Sequence, residues 1–281
     1  TQQLKNTGHE IWWLDVFDSH TKVEKIDFVE QITGWRYRKN FRGRYFLKKN
    51  FPKINSLVNK VNERDFLKVF KKTLEEIHPD IVHSFVMYLS TAPILPVMKK
   101  YPGIKWIYSS WGSDLYYYSK IDGYKEEIYK TLPYIDYLFT DCSRDSDLAT
   151  KMGFKGKCLG VFPGGGGYDI DHWKNFRKPI EDRKTILIKG YEGLHGRSSV
   201  VIKALIELEA ISKHYQIVVF GASKGLLEKL RTIDLNKNWE IKGKVPHDEV
   251  MQLMGHSLIY IGNSLSDGIP NTCLEAIVMG A

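Results

Sequence analysis

The sequence predicts an α/β fold in which two doubly wound, Rossmann-like parallel sheets face each other across a cleft. Short apolar runs alternate with longer amphipathic segments along most of the 281 residues. Glycine, proline and charge interrupt this alternation between Pro163 and Pro179. The length exceeds that of a usual single domain and suffices for two cores. We therefore divide the chain into a first domain, residues 1–165, and a second, residues 166–281.

In the first domain, four apolar runs predict strands separated by segments long enough for helices. They are Ile11 to Val16, Ile81 to Phe85, Trp106 to Ser109 and Tyr137 to Thr140. The helix-like TQQLKN precedes the first run, where a strand would ordinarily come before it. We therefore expect that an amino-terminal strand is missing.

In the second domain, the same alternation continues, with SSVVIKALIELEAI as a helical pattern. The predicted strands are Thr185 to Lys189, Gln216 to Phe220, Trp239 to Ile241 and Leu258 to Ile261, and a helix is predicted to begin at Asn271. The chain stops at MGA, where another strand is expected, so the sequence reads as trimmed at both ends.

Composition excludes several classes of protein. The apolar fraction of 43% is that of a globular chain, and no run of eighteen apolar residues could span a bilayer. Cys142, Cys158 and Cys273 are too scattered for a disulfide framework or a zinc site. We expect a cytoplasmic protein, peripheral at most to the inner face of a membrane.

The net charge of +8 is concentrated between Trp35 and Lys72, where thirteen Lys or Arg residues face only two acidic ones. Aromatic residues alternate with these cations in residues 35–51, which suits an anionic membrane surface or a phosphate-bearing acceptor. A solvated surface remains an equal alternative. No nucleic-acid-binding motif accompanies the segment, and we expect no nucleic-acid partner.

The carboxy-terminal stretch NSLSDGIPNTCLEAIVMGA indicates a ligand site. It places Asp267 eight positions before Glu275, between a predicted strand and a predicted helix. Open α/β sheets bind ligands at the carboxyl ends of their strands, and a helix amino terminus offers free N–H groups to phosphate or sugar oxygens. We expect the two carboxylates to hold hydroxyl groups of a nucleotide-sugar.

Two glycine-rich loops are further candidates. Gly164 to Gly167, which include Gly165 and Gly166, either approach a ligand or form a hinge. The loop after Thr185 to Lys189 contains Gly190 and Gly196 and is flanked by Lys189 and Arg197. These two cations suit a diphosphate, whose charge must be neutralised when it leaves.

Metal and hydrolase chemistry have little support. The Asp145-Ser146-Asp147 triplet follows a predicted strand and is better explained by acids at the positive end of a helix. We expect no metal and no cofactor other than the nucleotide-diphosphate sugar as co-substrate. GxSxG and HExxH motifs are absent from the sequence.

Three residues of the first domain indicate an acceptor side. His83 lies at the end of a predicted strand, and Ser113 and Asp114 form a turn after another. For His83, a hydrogen-bonded core histidine is an equal alternative. For Ser113 and Asp114, the alternative is a simple helix cap.

Together these motifs resemble the family-four glycosyltransferases, which are retaining enzymes of the GT-B fold. FPGGGG with DIDHW resembles the family's interdomain segment, KGYEGLHGR its phosphate loop, GKVPHDEVMQLM its strand and helix before the donor site, and SLSDGIPNTCLEAIVMG its E-x7-E signature. In two places the chain departs from the family: Asp267 stands for the first glutamate, and Trp111-Gly112 for a frequent His-Gly turn.

The resemblance implies a role for each matching residue. Glu275 would bind the ribose and Asp267 the donor sugar, while Lys189 and Arg197 carry the diphosphate. The segment Gly268, Ile269, Pro270 and Asn271 would surround the donor with backbone groups, although proline has no N–H to donate.

The implied activity is metal-independent hexosyl transfer from a nucleotide-diphosphate sugar to a glycan or lipid-linked acceptor, in cell-surface polysaccharide or glycolipid synthesis. Two alternatives remain: a GT-B-like sugar-nucleotide epimerase, and a sugar-nucleotide-binding module without catalysis.

Overall fold

The computed structural model describes residues 2–19, 21–164 and 166–281 and shows an α/β protein with parallel sheets. The strands are β1 Trp12–Leu14, β2 Glu30–Ile32, β3 Ile81–Phe85, β4 Lys105–Ser109, β5 Tyr137–Thr140, β6 Lys157–Val161, β7 Thr185–Lys189, β8 Gln216–Phe220, β9 Trp239–Ile241 and β10 Ser257–Ile261. The α-helices are α1 Arg44–Asn50, α2 Pro52–Asn62, α3 Phe66–Ile77, α4 Leu95–Met98, α5 Tyr124–Thr131, α6 Ser143–Lys151, α7 Ile170–Trp173, α8 Ser198–Glu207, α9 Glu209–Ser212, α10 Lys224–Arg231, α11 His247–Gly255 and α12 Asn271–Met279.

The first four-stranded sheet runs in chain order, β3-β4-β5-β6, with all strands parallel. Its core contains fully buried Trp106, Tyr108 and Leu138, with Leu74 of α3 and Ile128 of α5 packed against them. Three of its strands were predicted from apolar runs. The fourth, β6, was missed because most of its residues are exposed and carry no apolar pattern.

The second sheet has the order β10-β7-β8-β9. The chain adds β8 and β9 on one side of β7 and then returns to add β10 on the other side, so the strand order reverses at β7. Alternate residues of β7 enter two different cores: Ile186 and Ile188 pack on one face and Leu187 on the other. The first face is covered by side chains such as Ile202 of α8, and the second by side chains such as Met254 of α11. A sheet covered on both faces, with a reversal of strand order, is doubly wound as predicted.

The amino-terminal residues form a smaller structure. The predicted strand Ile11 to Val16 shortens to β1, which pairs with β2 in a separate two-stranded sheet and not with β3. Among the described residues, the helices α1 and α2 contain no buried side chain. A search of the described residues finds no helix with the length and apolar character needed to cross a membrane. The domain boundary between residues 165 and 166 stays a prediction.

Candidate active site between the two sheets

The loops that follow β7 and β10 lie side by side, at the position where the strand order reverses. Leu265 N–H donates to the His195 carbonyl at 2.8 Å, and Arg197 N–H donates to the Asn263 carbonyl at 3.1 Å. Gly196 also forms an isolated bridge with Ser264. In open α/β sheets, a crevice at such a reversal is the usual ligand site.

A cation and a carboxylate predicted for the site lie near the same thiol. Burial raises the pKa of Cys273, nearby Lys189 lowers it, and nearby Asp267 raises it. Lys189 ends β7 and Cys273 lies in the first turn of α12, so both charges act on the start of that helix. Arg197 is exposed and immediately precedes α8.

The amino terminus of α12 is open to an anion. Pro270 precedes the helix, and no described side chain makes a capping hydrogen bond there. The first N–H groups of a helix lack intrahelical acceptors and carry partial positive charge. Together with Lys189, they make this helix end suitable for a phosphate oxygen.

The amino terminus of α8, by contrast, already holds a carboxylate. Glu192 accepts from the Ser199 N–H at 2.8 Å, the Ser198 hydroxyl at 2.9 Å and the Ser199 hydroxyl at 2.8 Å. Partial burial opposes ionisation, but these hydrogen bonds lower the pKa of Glu192. Sequence reasoning missed Glu192, whose carboxylate occupies the start of α8, whereas no described side chain caps the start of α12.

Glu275 is buried in α12, and its carboxylate is held by a residue of α11 that the sequence did not single out. His247 Nε2 lies 2.9 Å from Glu275 Oε1. Burial and the nearby charge of Glu275 both raise the pKa of the Tyr168 hydroxyl. The Tyr168 hydroxyl donates to the Asn271 carbonyl at 3.4 Å. Glu275 thus has a fixed orientation at the rim of the crevice.

The glycines predicted to bind the donor have different surroundings. A Cβ on Gly190 would lie 2.9 Å from the Ala222 backbone, and one on Gly196 would lie 2.3 Å from the Tyr191 carbonyl oxygen. Both glycines therefore allow close packing of the loops, and donor binding at them stays a prediction. Gly166 is exposed with open space around it, and Gly165 lies outside the described residues.

The edges of the two sheets meet at the turn that contains Gly112 and Ser113. Ser113 Oγ lies 2.8 Å from Ser266 Oγ, which in turn lies 3.0 Å from His195 Nδ1. A Cβ on Gly112 would lie 3.8 Å from Asp267 Oδ1. The turn after β4, which the sequence assigned to the acceptor side, therefore contacts the Asp267 loop directly.

Arg144 also joins the two edges, and sequence reasoning missed it. Its Nη2 donates to the Gly112 carbonyl at 2.9 Å and to the Ser266 carbonyl at 3.1 Å. Its Nε donates to buried Asp145 Oδ1 at 2.8 Å. Only the position of Arg144 in the first turn of α6, shortly after the carboxyl end of β5, could have indicated this role.

The Asp145-Ser146-Asp147 triplet does not present two carboxylates to one point, because Asp145 is buried and Asp147 is exposed. Ligand atoms of Asp141, Cys142 and Asp145 do lie within 4.8 Å of one another. Both oxygens of Asp145 already accept from Arg144, and the absence of a metal stays a prediction.

The predicted acceptor residues separate into two environments. His83 lies in β3, where its Nε2 is 2.8 Å from Ser109 Oγ and its ring stacks on Phe85 at 4.3 Å. Neighbouring protein atoms partly desolvate the ring and lower the pKa of His83 to about 4, although the residue still reaches the surface. Trp111, 54% exposed, lies 6.1 Å from the Phe85 ring, so aromatic surface continues to the edge of the crevice. Asp114 is instead only 2% exposed.

Comparison with protein-family profiles and with curated protein sequences finds no match. Solved structures, however, are similar in fold. Pneumococcal O-GlcNAc transferase GtfA, solved with UDP and GlcNAc, is 13% identical with a TM-score of 0.57 over 75% of this chain and 43% of that one. Sucrose-phosphate synthase from Thermosynechococcus elongatus is 11% identical with a TM-score of 0.60 over 94% and 67%.

Anabaena HepE, solved with UDP and glucose, is 13% identical with a TM-score of 0.56, over 90% of this chain and 65% of that one. The chain therefore spans less than half of the pneumococcal transferase and about two thirds of the other two. At these identities the likeness concerns the fold. The chain has the α/β architecture of the GT-B glycosyltransferases, with parallel Rossmann-like sheets.

Proposed function

We propose that the protein is a retaining glycosyltransferase, which moves a hexosyl group from a nucleotide-diphosphate sugar to an acceptor hydroxyl. The observation that carries the proposal is the convergence of Lys189, Asp267 and the uncapped start of α12 at the strand-order reversal. Similar structures of the same fold were solved with UDP, which supports a nucleotide-sugar as the donor.

Each group has a physical role in this reaction. Lys189, Arg197 and the α12 N–H groups stabilise the negative charge of the departing diphosphate, which grows in the transition state. Asp267 and Glu275 accept hydrogen bonds from the sugar and ribose hydroxyls. The acceptor hydroxyl attacks from the face that the diphosphate leaves and gives its proton to the departing phosphate oxygen. The cations perform the neutralisation that a divalent metal performs elsewhere.

A ligand screen tests the donor. We expect one class of nucleotide-diphosphate sugar to raise the melting temperature, since a ligand that binds only the folded chain stabilises it by mass action. The Lys189→Ala variant should lose this shift, whereas Lys203→Ala, on the exposed face of α8, should keep it. Equal shifts in both variants would contradict the assigned site.

Transfer is then measured with that donor and candidate glycan acceptors. We expect turnover to persist in EDTA, and strict loss of turnover on chelation would contradict the metal-independent mechanism. Incubation with donor alone distinguishes the epimerase, because only an epimerase converts the donor to an isomeric sugar nucleotide. Donor binding without transfer or isomerisation would identify a binding module.

For the acceptor, we propose a glycan or lipid-linked molecule of cell-surface polysaccharide or glycolipid synthesis, reached at an anionic membrane surface. Apolar side chains of α1 and α2 are exposed, with Tyr45 at 79% and Val61 at 73%, and lysines such as Lys48 lie among them. Exposed apolar groups beside cations are typical of surfaces that contact anionic bilayers.

Liposome sedimentation tests this contact. We expect binding to anionic but not to neutral vesicles, weakened by salt and by the double variant Lys48→Glu, Lys49→Glu. The matched control is the double variant Lys203→Glu, Lys213→Glu, which makes the same change of net charge far from α1 and α2 in sequence. Binding that is indifferent to lipid charge would contradict the membrane proposal.

A further inference from the structure

A cavity of about 150 Å³ lies among residues 87–128, outside the crevice described above. Tyr88, Tyr118 and Tyr124 line it together with Asp114 and Glu127, and apolar side chains such as Ile128 complete the lining. A cavity of this size accepts a benzene-sized group.

The three tyrosines come from different parts of the chain. Tyr88 follows β3, Tyr118 follows the turn after β4, and Tyr124 is the first residue of α5. Their ring centroids are close: 4.3 Å for Tyr88 and Tyr118, 4.9 Å for Tyr118 and Tyr124, and 5.7 Å for Tyr88 and Tyr124. Tyr124 is 41% exposed, so this wall of the cavity reaches the surface.

Asp114 supplies a buried carboxylate to this lining. Its Oδ2 accepts from the Met87 N–H at 2.9 Å, the Tyr108 hydroxyl at 2.9 Å and the Trp111 N–H at 3.2 Å. All three of these hydrogen bonds go to Oδ2. Withdrawal of a carboxylate from water is costly, and an occupant that brings positive charge or a donor would offset part of that cost.

The charges of the lining select the occupant. Asp114 and Glu127 are acidic, and the lining as described contains no lysine, arginine or histidine. The faces of aromatic rings attract cations, most strongly where water is excluded, and a nearby carboxylate adds a direct ion pair. An anion is disfavoured on both grounds.

We propose that this pocket binds the positively charged ammonium group of an alkylamine or quaternary amine, held between the tyrosine rings and Asp114. The site is separate from the proposed donor site and does not depend on it. Ser113, the neighbour of Asp114, contacts Ser266 across the edges of the two sheets, so the pocket lies directly behind that contact. Two sources supply such a group: a free amine, and an acceptor that carries one.

Calorimetric titration tests the chemistry without any donor. The probes are choline, ethylammonium and 3,3-dimethyl-1-butanol, which has the shape of choline without its charge. We expect saturable binding of choline or ethylammonium, with the neutral analogue at least about tenfold weaker, as for loss of a desolvated cation–π contact. Equal binding of the neutral analogue, preference for glucose, or no saturable binding of either amine would overturn the proposal.

Variants locate the site. Tyr124→Leu and Asp114→Asn should each weaken amine binding by about tenfold or more. Tyr129→Leu, which changes another half-exposed tyrosine of α5 outside the lining, should leave it unchanged. Asp114→Asn retains an acceptor for the three hydrogen bonds, and its near-ultraviolet circular dichroism shows whether it is folded. A folded Asp114→Asn protein with unchanged amine affinity would overturn the assignment.

Kinetics separate the two sources. Competition between choline and the acceptor would assign the ammonium group to the acceptor, whereas inhibition or activation without competition would assign the pocket to a free amine. Both outcomes support the ammonium chemistry. The melting-temperature shift with the donor is expected to be the same with and without choline, so failure of this proposal leaves the donor proposal intact.

Discussion

Gly268 lies so close to Asp141 that a Cβ on residue 268 would be 2.6 Å from either oxygen of the Asp141 carboxylate. The two residues follow β10 and β5, so this contact joins the edges of the two sheets. Asp141 Oδ2 also accepts from the Gly112 N–H at 3.0 Å, which ties the carboxylate to the neighbouring turn of its own sheet.

The Gly268→Ala variant should therefore force this contact apart. We expect a loss of about 1–3 kcal/mol in the free energy of unfolding, as for overpacking elsewhere, and weaker donor binding because Asp267 shifts with its neighbour. Urea unfolding and donor titration measure the two effects. Gly243→Ala is the control, since its Cβ would meet only Leu227 at 3.7 Å. If the cost of Gly268→Ala is undiminished in an Asp141→Ala background, the contact does not cause it.

Arg197→Ala tests the neutralisation of the diphosphate. Removal of one charge-stabilising donor typically costs about 10²–10³-fold in turnover. Because Arg197 is exposed, we expect the free energy of unfolding of the variant to differ from that of the wild type by no more than about 0.5 kcal/mol. Arg231→Ala, at the exposed end of α10, is the matched loss of charge and should keep full turnover. An unchanged rate for Arg197→Ala would remove this residue from the site.

His247→Ala tests the orientation of Glu275. The hydrogen bond at 2.9 Å should contribute about 0.5–1.5 kcal/mol, so its loss should raise KM for the donor roughly two- to tenfold. We expect kcat to change little, because in the proposed mechanism Glu275 binds the ribose and not the reacting centre. Initial-rate kinetics over a range of donor concentrations measure both constants. A fall in kcat at constant KM would argue against a positioning role.

Asp114 predicts a pH dependence of stability. Burial raises the pKa of Asp114 from 3.8 to about 6, although hydrogen bonds from Met87, Tyr108 and Trp111 oppose the shift. The folded chain thus holds this proton more tightly than the unfolded chain. The stabilisation is complete below about pH 4 and is lost as the pH rises through 6, which amounts to about 3 kcal/mol.

Asp114→Asn removes this titration and retains an acceptor for the hydrogen bonds. Urea unfolding at several pH values between 4 and 7.5 should give a wild-type free energy of unfolding that falls relative to the variant as pH rises. Parallel curves for the two proteins would show that Asp114 does not titrate in this range.

Local sequence pattern predicted a strand that is covered on both faces and the helix that follows Pro270. The strand Thr185–Lys189 and the helix Asn271–Met279 have the predicted beginnings, because continuous apolar runs and a Pro-Asn start are local signals. The exposed strand Lys157–Val161 was missed, since residues with little burial leave no apolar period in the sequence.

The sequence by itself determined the α/β class, most strands and the candidate pair Asp267 and Glu275. Buried strands leave a period of apolar residues in the sequence, and the spacing of the two carboxylates can be read from it directly. Only the tertiary structure decided that Glu192 occupies the start of α8, that His247 holds Glu275, and that Asp141 and Arg144 contact the loop after β10. These contacts join residues distant in sequence through exact distances, and no local period encodes a distance across a crevice.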